Sequence, residues 1–427
     1  MAGLLAARVL SDHFDRVTLI ERDQLPERAE PRNGIPQGRH VHVLLARGIA
    51  LLEENFPGLT RDLVSAGAFR INGGRDIAWH YGDGWRTRHL SDLELVAASR
   101  PLIETHVAAR VRGLSNVDLR DGVRLAGPAT QADALTGAQI TGPQGPETID
   151  ADLLVDASGR GSSMSRRLEQ LGYTPPEAAT IPARLSYSSC QFDRGGQDPG
   201  WRALIVNGPA ARRAGFCLAV EGDRWLVTLA SFFDEPSPFD LEDFRSFARS
   251  LPVPDLHEAI RGLAPASKIV QFRFPASRRR RYERLSALPS GLIATGDAIC
   301  SFNPVYGQGM TVAALEAKAL GHALAEARRR GRVDPAFTRD WYRAAARIVD
   351  VAWQGVAIED YRFPELAGRR TAALRALQWY MSRVGRATHA DAAVTEQFYR
   401  VIGFLEPPAA LFRPRIAAAV LRPRRGQ

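Results

Sequence analysis

The chain has very little lysine, and arginine supplies nearly all of its positive charge. Its 427 residues include 56 basic side chains, yet only Lys268 and Lys318 are lysines, and the formal net charge is +9. The densest basic run, residues 277–285 (SRRRRYERL), has no zinc-finger, RNP or helix-turn-helix pattern near it. We therefore expect a solvated turn there, most of the charge on the surface, and no nucleic-acid partner.

Cysteine is equally scarce, and long apolar runs are absent. Cys190, Cys217 and Cys300 lie far apart, outside any C-x-x-C pair, which predicts packed thiols in a reducing cytoplasm rather than a disulfide framework. No group of histidine, cysteine and carboxylate has metal-ligand spacing. There is neither a run of about 18 apolar residues nor a signal-peptide pattern at the start. We expect a cytoplasmic protein with no membrane span and no metal.

The apolar pattern divides the chain into four segments. Residues 1–180 are predicted to form the first part of an α/β domain, with helices at about 40–55 and 100–112 and a buried strand in RVTLIE. Residues 181–284 alternate like antiparallel strands, with a hairpin turn at 221–223 and a helix at about 241–250. Residues 285–330 return to the α/β style and end in a helix at about 308–330. Residues 331–427 are predicted to be helical.

The first of these segments opens with half of a dinucleotide-binding pattern. Gly3 begins a helix of small residues, and Glu21 closes the following strand at the spacing expected between the last glycine of G-x-G-x-x-G and its ribose-binding acid. The first strand and the first two glycines of the pattern are not in the sequence. We interpret this as a start placed too late, and the alternative is a chain that has lost its cofactor and serves as a binding protein.

Two later segments strengthen the cofactor interpretation. LLVDASGRGS places Asp156 and Gly159 at the end of an apolar strand, and GLIATGDAICSFNPVYGQGM places Asp297 at the end of another, where α/β sheets bind cofactors. Their order and separation resemble the downstream fingerprints of FAD-dependent single-component monooxygenases, the aromatic hydroxylases and epoxidases. PQGRHVH and SRPLIETHV are similar to segments of squalene-epoxidase-like and polyether-type epoxidases of secondary metabolism.

The resemblance implies a Rossmann-like FAD-binding domain with an inserted antiparallel sheet above the substrate. It implies that Asp297 binds the ribityl chain, that Asp156 lies near the pyrophosphate and helps NAD(P)H approach, and that Arg100 contacts the diphosphate or ribityl region. Glu21 would bind the adenosine ribose, and His40 is a candidate for the flavin pocket. The full set of candidate cofactor residues is Gly3, Glu21, Arg22, Arg39, Arg100, Asp156, Gly159, Asp297, Pro304, Gly307, Gln308, Gly309 and Met310.

The segment NPVYGQGM also suits a flavin on physical grounds. Pro304 ends the preceding segment, Gly307 and Gly309 let the backbone approach a flat ring, and a helix starts near Gln308. The free N–H groups at a helix start stabilise a nearby anion by ~0.3 to 2 kcal/mol. A reduced flavin carries such a charge on its N1 and C2 carbonyl edge.

The implied function is NAD(P)H- and O2-dependent epoxidation or hydroxylation of a lipophilic alkene or aromatic molecule through a flavin hydroperoxide. Because the flavin carries this chemistry, we assign no catalytic side chain. A geranylgeranyl-reductase-like enzyme remains an alternative, although the P-x-x-Y-x-W-x-F-P string of that group is missing from the sequence. A flavin halogenase is a weaker alternative, because its W-x-W-x-I-P motif is missing too. The basic C-terminal segment, residues 407–427, is expected to pack on the core rather than dock on a membrane.

Overall fold

The computed structural model describes residues 1–26, 28–32, 34–131, 134–331 and 333–422. Its α-helices are α1 Ala2–Leu10, α2 Ala46–Asn55, α3 Leu59–Ser65, α4 Arg100–Arg112, α5 Met164–Gln170, α6 Leu241–Arg249, α7 Asp255–Ile260, α8 Gly309–Arg329, α9 Pro335–Asp360, α10 Ala372–Ala387, α11 Ala392–Ile402 and α12 Pro414–Leu421. Its strands are β1 Val17–Glu21, β2 Phe69–Asn72, β3 Ile77–Tyr81, β4 Gly84–Trp85, β5 Glu94–Ala97, β6 Val117–Asp121, β7 Arg124–Gln131, β8 Ala134–Gly142, β9 Gly145–Asp150, β10 Leu154–Asp156, β11 Ala178–Ile181, β12 Leu185–Asp193, β13 Ala203–Asn207, β14 Arg213–Val220, β15 Arg224–Phe232, β16 Val270–Phe274, β17 Ser277–Arg280, β18 Leu292–Ala294 and β19 Cys300–Ser301.

Two parallel strand pairs form the centre of the α/β part. β1 pairs with β6, and β10 pairs with β18. In the described residues these are two separate two-stranded sheets, and α1 packs against one strand of each pair. The apolar face of α1, including Leu5 and Val9, is buried in the same core as α8. Because the strands are parallel, their carboxyl ends lie at the edge where α/β sheets bind ligands.

A seven-stranded sheet covers this part of the fold, in the order β16-β12-β15-β14-β13-β3-β4. The parallel pairing of β13 with β3 brings residues 77–85 into this sheet, although they precede the boundary expected at 181. One sheet face packs Phe192 and Trp225 against Phe244 of α6. Side chains alternate along a strand, so Tyr187 and Ser189 lie on the other face, toward the α/β core.

The helix expected at residues 40–55 begins six residues later, at Ala46. Residues 41–45 are not helical, and side chains bond to part of the backbone just before α2. The backbone N–H of Val41 donates to Thr228 Oγ1 of the seven-stranded sheet at 2.8 Å. The ring of His42 donates from Nδ1 to the carbonyl of His40 at 2.9 Å. This segment therefore joins the sheet to the α/β part.

The prediction of a solvated turn at residues 277–285 is wrong. Residues 277–280 form β17, and Arg279 and Arg280 are buried. Arg279 pairs with Glu283 and Asp350, and Arg280 donates to the carbonyl of Ala298 at 2.9 Å. Buried guanidinium groups need such partners, and a local sequence pattern does not show acceptors contributed by distant segments.

Helices α9 to α12 complete the fold. All three cysteines are buried, which confirms the packed thiols. The C-terminal segment packs as expected, since Ile416 and Val420 of α12 are buried against Tyr380 of α10. Residues 423–427 of that segment lie outside the described residues. Among the helices of the described chain, none combines the length and the apolar character needed to cross a membrane.

Candidate functional site

The start of α1 packs unusually closely on the two strand ends. A Cβ atom at Gly3 would lie 3.3 Å from Ala157 Cβ, just after β10, and 3.6 Å from Leu19 in β1. Gly296, just after β18, has φ +62°, and its Cβ would lie 2.7 Å from Ala2 Cβ. Larger side chains at either glycine would force the helix away from the strands. This is the close helix-strand contact expected from the last glycine of a dinucleotide-binding turn.

Arg100 stands at the start of α4 beside the start of α1. Its Nε and Nη2 donate to Glu104 Oε1 at 3.0 and 2.9 Å, and its Nη1 donates to His42 Nε2 at 3.3 Å. The Met1 ammonium lies 3.4 Å from the same Glu104 oxygen. Although burial opposes ionisation, Arg100 and this ammonium lower the pKa of Glu104 to about 2. Burial and Arg100 lower the pKa of His42 to about 3, so its ring is a neutral acceptor.

Asp297 follows β18 and faces these positive groups. Burial raises the pKa of its carboxyl, while Arg100, Arg160 and the Met1 ammonium act in the opposite direction. Within the described residues the carboxylate accepts no hydrogen bond, although the side chain retains some solvent access. A half-enclosed carboxylate without donors is suited to hydroxyl groups of a ligand.

Asp156 ends the neighbouring strand but is differently placed. Its carboxylate is buried and accepts hydrogen bonds from the hydroxyl groups of Ser158 and Ser162 and, at 2.9 Å, from the backbone N–H of Ser158. Gly159 follows with φ +79°, a left-handed conformation that favours glycine. Asp156 therefore holds the turn after β10 in shape.

Glu21 lies at the end of β1, at the far side of the α1 start. Its Oε2 is 2.7 Å from Arg32 Nη1, and its Oε1 accepts the backbone N–H of Asp23 at 3.2 Å. A cavity of about 40 Å³ is lined in part by Leu4, Arg32 and Glu104. Glu21 does not line this cavity itself but is joined to it by its ion pair with Arg32.

The loop before α8 contains the other predicted residues. Asn303 caps the turn that begins at Pro304, because its side chain accepts the backbone N–H of Val305. Gly307 has φ +64° and lies against Val43, and a Cβ at Gly309 would meet no atom within 4 Å. Gln308 directly precedes α8, and the Met310 side chain is buried. The open space at Gly309 adjoins the free N–H groups of the helix start.

Two predicted residues lie apart from this arrangement. Arg22 is exposed and donates to the carbonyl of Gly34 at 3.3 Å. Arg39 is exposed at the end of a short 3-10 helix. The roles that the resemblance implies for them stay predictions.

Sequence reasoning missed two buried carboxylates that support the strand ends and the loop. Glu316 of α8 accepts hydrogen bonds from Thr295 Oγ1 at 2.8 Å and from the Gly296 N–H at 2.6 Å. Asp360, the last residue of α9, accepts from Asn303 Nδ2 at 3.1 Å and from the Tyr306 hydroxyl at 2.6 Å. Burial raises the pKa of each to about 7. Only Glu316 offered a sequence signal, as an acid amid apolar helix residues, and that signal does not show which donors surround it.

Comparison with solved structures defines the class of fold. The chain superposes on a triple mutant of the flavin-dependent brominase Bmp2 with a TM-score of 0.70 and 12% identity, covering 98% of this chain and 95% of that one. It superposes on PqsL, a probable FAD-dependent monooxygenase of Pseudomonas aeruginosa, with a TM-score of 0.62 and 17% identity, covering 86% and 96%. For the p-nitrophenol 4-monooxygenase PnpA of Pseudomonas putida DLL-E4 these values are 0.62, 17%, 93% and 94%.

At such identities the likeness shows the fold alone, and it is a fold used by flavin-dependent enzymes. The predicted fold class is confirmed. No protein-family model matches the sequence. Protein Rv3254 of Mycobacterium tuberculosis (strain ATCC 25618 / H37Rv) is 34% identical over 375 residues, which cover 85% of this chain and 79% of that protein. The chain belongs to the family of Protein Rv3254.

Proposed function

We propose that the protein is an FAD-dependent monooxygenase that uses NAD(P)H and O2 to hydroxylate or epoxidise a lipophilic small molecule. The observation that carries the proposal is the Asp297 carboxylate, half-enclosed, without hydrogen-bond donors in the described chain, and facing Arg100 and Arg160. Carboxylates in this position after a parallel strand suit the hydroxyl groups of a cofactor. The flavin-dependent neighbours of the same fold support the assignment.

The residues around the strand ends fit FAD. Asp297 offers an acceptor to ribityl hydroxyls, and Glu21 offers one to the adenosine ribose. The starts of α1 and α4 and the Arg100 guanidinium supply positive charge for a diphosphate. The open space at Gly309 and the start of α8 would accommodate the flat ring. When bound, the flavin supplies the redox and oxygen chemistry.

The protein's own contribution is then to enclose and orient the substrate. The face of the seven-stranded sheet that carries Tyr187 and Phe272 is turned toward the loop before α8, and these aromatic rings stack at 6.2 Å between centroids. An apolar aromatic surface favours a lipophilic substrate and excludes water from the ring. The free N–H groups at the start of α8 stabilise negative charge on a reduced ring.

The direct test is to purify the protein, record its flavin absorption spectrum, and measure oxygen-dependent oxidation of NADH and NADPH with candidate substrates. Retained FAD and substrate-stimulated oxygen uptake support the proposal. If the protein retains FAD and reduces a carbon–carbon double bond of the substrate without oxygen, it is instead a geranylgeranyl-reductase-like enzyme. A protein that binds no FAD, even with added cofactor, would refute the proposal and favour a binding protein with this fold.

A further inference from the structure

A cluster of polar side chains lies between the loop before α8 and the seven-stranded sheet, in the position of the proposed substrate. Tyr187 and Ser189 project from β12 on the face turned toward the α/β part, and Thr228 stands opposite Ser189 on β15. His40 approaches them from the segment before α2. The cluster adjoins the cofactor residues, because the His40 carbonyl accepts a hydrogen bond from His42, which contacts Arg100.

The hydrogen bonds of this cluster determine the form of the His40 ring. Thr228 Oγ1 accepts from the Val41 N–H and lies 2.6 Å from Ser189 Oγ, which lies 2.7 Å from His40 Nδ1. If Thr228 donates to Ser189 and Ser189 donates to Nδ1, both hydroxyl hydrogens are used. The reverse direction leaves the buried Thr228 hydroxyl hydrogen without an acceptor among the described residues, which costs stability. The first arrangement therefore holds, and it places the His40 proton on Nε2.

The Nε2–H group of His40 is one of two neighbouring polar groups left without a partner. His40 and Tyr187 are each only 3% exposed, and neither Nε2 nor the Tyr187 hydroxyl has a hydrogen-bond partner in the part of the chain that the structure describes. The two rings lie 5.2 Å apart between centroids, and both pack against Phe272. Buried polar groups normally have partners, so an adjacent unmatched pair indicates a ligand position.

The charges around the pair restrict the ligand further. Burial and Arg39 lower the pKa of His40 to about 4, so the ring is neutral at physiological pH. Burial, and after it the Asp360 carboxyl, raises the pKa of Tyr187 well above its usual range, so the phenol keeps its proton. Two neutral donors beside a carboxyl group suit an uncharged oxygen, while a carboxylate would be repelled by Asp360 and would find no positively charged donor in the pair.

We propose that His40 and Tyr187 together bind an uncharged oxygen of the substrate, a phenol hydroxyl or an aryl ketone, and thereby position its aromatic ring. This inference rests on the proposed function and narrows its substrate class from alkenes and aromatic molecules in general to oxygenated aromatic molecules. A plain hydrocarbon would leave both donors buried and unpaired, which sites built for a hydroxyl group reject strongly.

The test is calorimetric titration of the purified, FAD-loaded protein with three matched probes: 2-naphthol, 2-naphthoate and 2-methylnaphthalene. We expect 2-naphthol to bind at least about tenfold more tightly than either of the others. Tyr187→Phe and His40→Leu should each weaken 2-naphthol binding by about three- to tenfold and leave 2-methylnaphthalene binding unchanged. Tyr380→Phe is the matched control, because it removes a buried hydroxyl that donates to the Leu411 carbonyl, among the C-terminal helices.

A second readout protects the test against misfolded variants. Since the Tyr187 hydroxyl has no partner among the described residues, Tyr187→Phe should raise the melting temperature without ligand, while Tyr380→Phe should lower it. Preference for 2-naphthoate, or unchanged 2-naphthol binding in both site variants, would overturn the inference. Weaker FAD retention with unchanged 2-naphthol binding would also overturn it, by assigning the pair to the flavin. If the protein binds no FAD and takes up no oxygen, the proposed function is refuted. Probe binding can still be measured on that protein, so the two failures are distinguishable.

Discussion

Asp156 ends β10 and Asp297 follows the adjacent parallel strand β18, yet of these two carboxylates only that of Asp156 has hydrogen-bond donors within the described chain. The backbone N–H of Thr295 donates to the Asp156 carbonyl at 3.0 Å, so the two turns are joined. Ser158 and Ser162 satisfy the Asp156 side chain, whereas Asp297 faces the cations and accepts no hydrogen bond from any described residue. Asp156 therefore shapes a turn, whereas the Asp297 carboxylate is available to a ligand.

The first prediction concerns Asp297→Asn. The substitution removes a charge that burial disfavours, so the protein without cofactor should keep its stability within about 1 kcal/mol or gain some. FAD retention should fall by about tenfold or more, because hydrogen bonds to a charged acceptor are lost. Equilibrium dialysis against FAD and thermal unfolding measure the two effects. Unchanged FAD affinity would remove Asp297 from the cofactor site.

Asp156→Asn is the matched counterpart, with the opposite pattern expected. An amide N–H₂ replaces an oxygen that accepts a serine hydroxyl, so stability should fall by about 1 to 2 kcal/mol in urea unfolding. FAD retention at a temperature where the variant is folded should change less than in Asp297→Asn. If Asp156→Asn loses FAD and keeps its stability, the carboxylate acts on the cofactor directly.

The second prediction is a pH dependence from Glu316. Burial raises the pKa of this carboxyl to about 7 in the folded protein, against about 4.3 when unfolded. The folded state then holds a proton that the unfolded state releases. Stability from this group is therefore present below about pH 4.3 and is lost as pH rises to 7, by an amount on the order of 3 kcal/mol.

Glu316→Gln should remove that slope while still accepting hydrogen bonds from Thr295 and Gly296. The difference in unfolding free energy between the variant and the parent should grow from pH 4.5 to 7 and stay constant above. Urea unfolding across this range measures it. If the unfolding free energies of the variant and the parent run parallel across this pH range, Glu316 titrates normally in the folded protein.

The third prediction concerns Arg86, which joins the seven-stranded sheet to the C-terminal helices. Its guanidinium carbon lies 4.4 Å from the Trp79 ring centroid and 4.1 Å from that of Phe398, and it donates to Thr388 Oγ1 at 2.7 Å. A lysine keeps the charge but loses the planar stacking. Arg86→Lys should therefore cost about 2 to 3 kcal/mol of stability.

The control for this prediction is Arg383→Lys. Arg383 stacks at 5.0 Å on Trp379, which is 56% exposed. Because water screens that contact, the same substitution should cost less than about 1 kcal/mol. Equal losses in the two variants would mean that the aromatic enclosure of Arg86 adds nothing specific.

Local sequence signals predicted the fold well where the partners were close in the chain. The bounds of α4 follow from Ser99, whose side chain caps the helix, and from Pro101 in its first turn. The hairpin between β14 and β15 follows from its turn residues at 221–223. The late start of α2 could not be predicted in this way, because Thr228 holds the preceding segment from far along the chain.

The residues of the candidate site were also predictable only where their partners are close in the chain. Asp297 and Gly3 belong to short motifs with fixed spacing, so their position was predictable. The role of Asp360 depends on Asn303, which is 57 residues away, and Glu316 depends on Thr295, 21 residues away. Buried acids of this kind are recognised only when packing shows which donors surround them.

The fourth prediction tests the pairing of Arg100 with Glu104. Glu104 has a pKa of about 2 in the folded protein, against about 4.3 when unfolded, so its contribution to stability is complete above about pH 4.3 and is lost as pH falls to 2. Arg100→Met removes the closest partner of a buried carboxylate, leaving only the Met1 ammonium at 3.4 Å among the described residues, and should cost about 3 to 5 kcal/mol at neutral pH.

Adding Glu104→Gln to Arg100→Met should restore much of that stability, because the buried charge that lost its guanidinium partner is then gone. FAD affinity should stay low in the double variant, since the guanidinium that we propose to bind the diphosphate is still absent. The double-mutant cycle in urea, together with FAD dialysis, separates these two effects. A double variant that recovers both stability and FAD affinity would show that Arg100 serves only to neutralise Glu104. Recovery of stability alone assigns the guanidinium to the cofactor site.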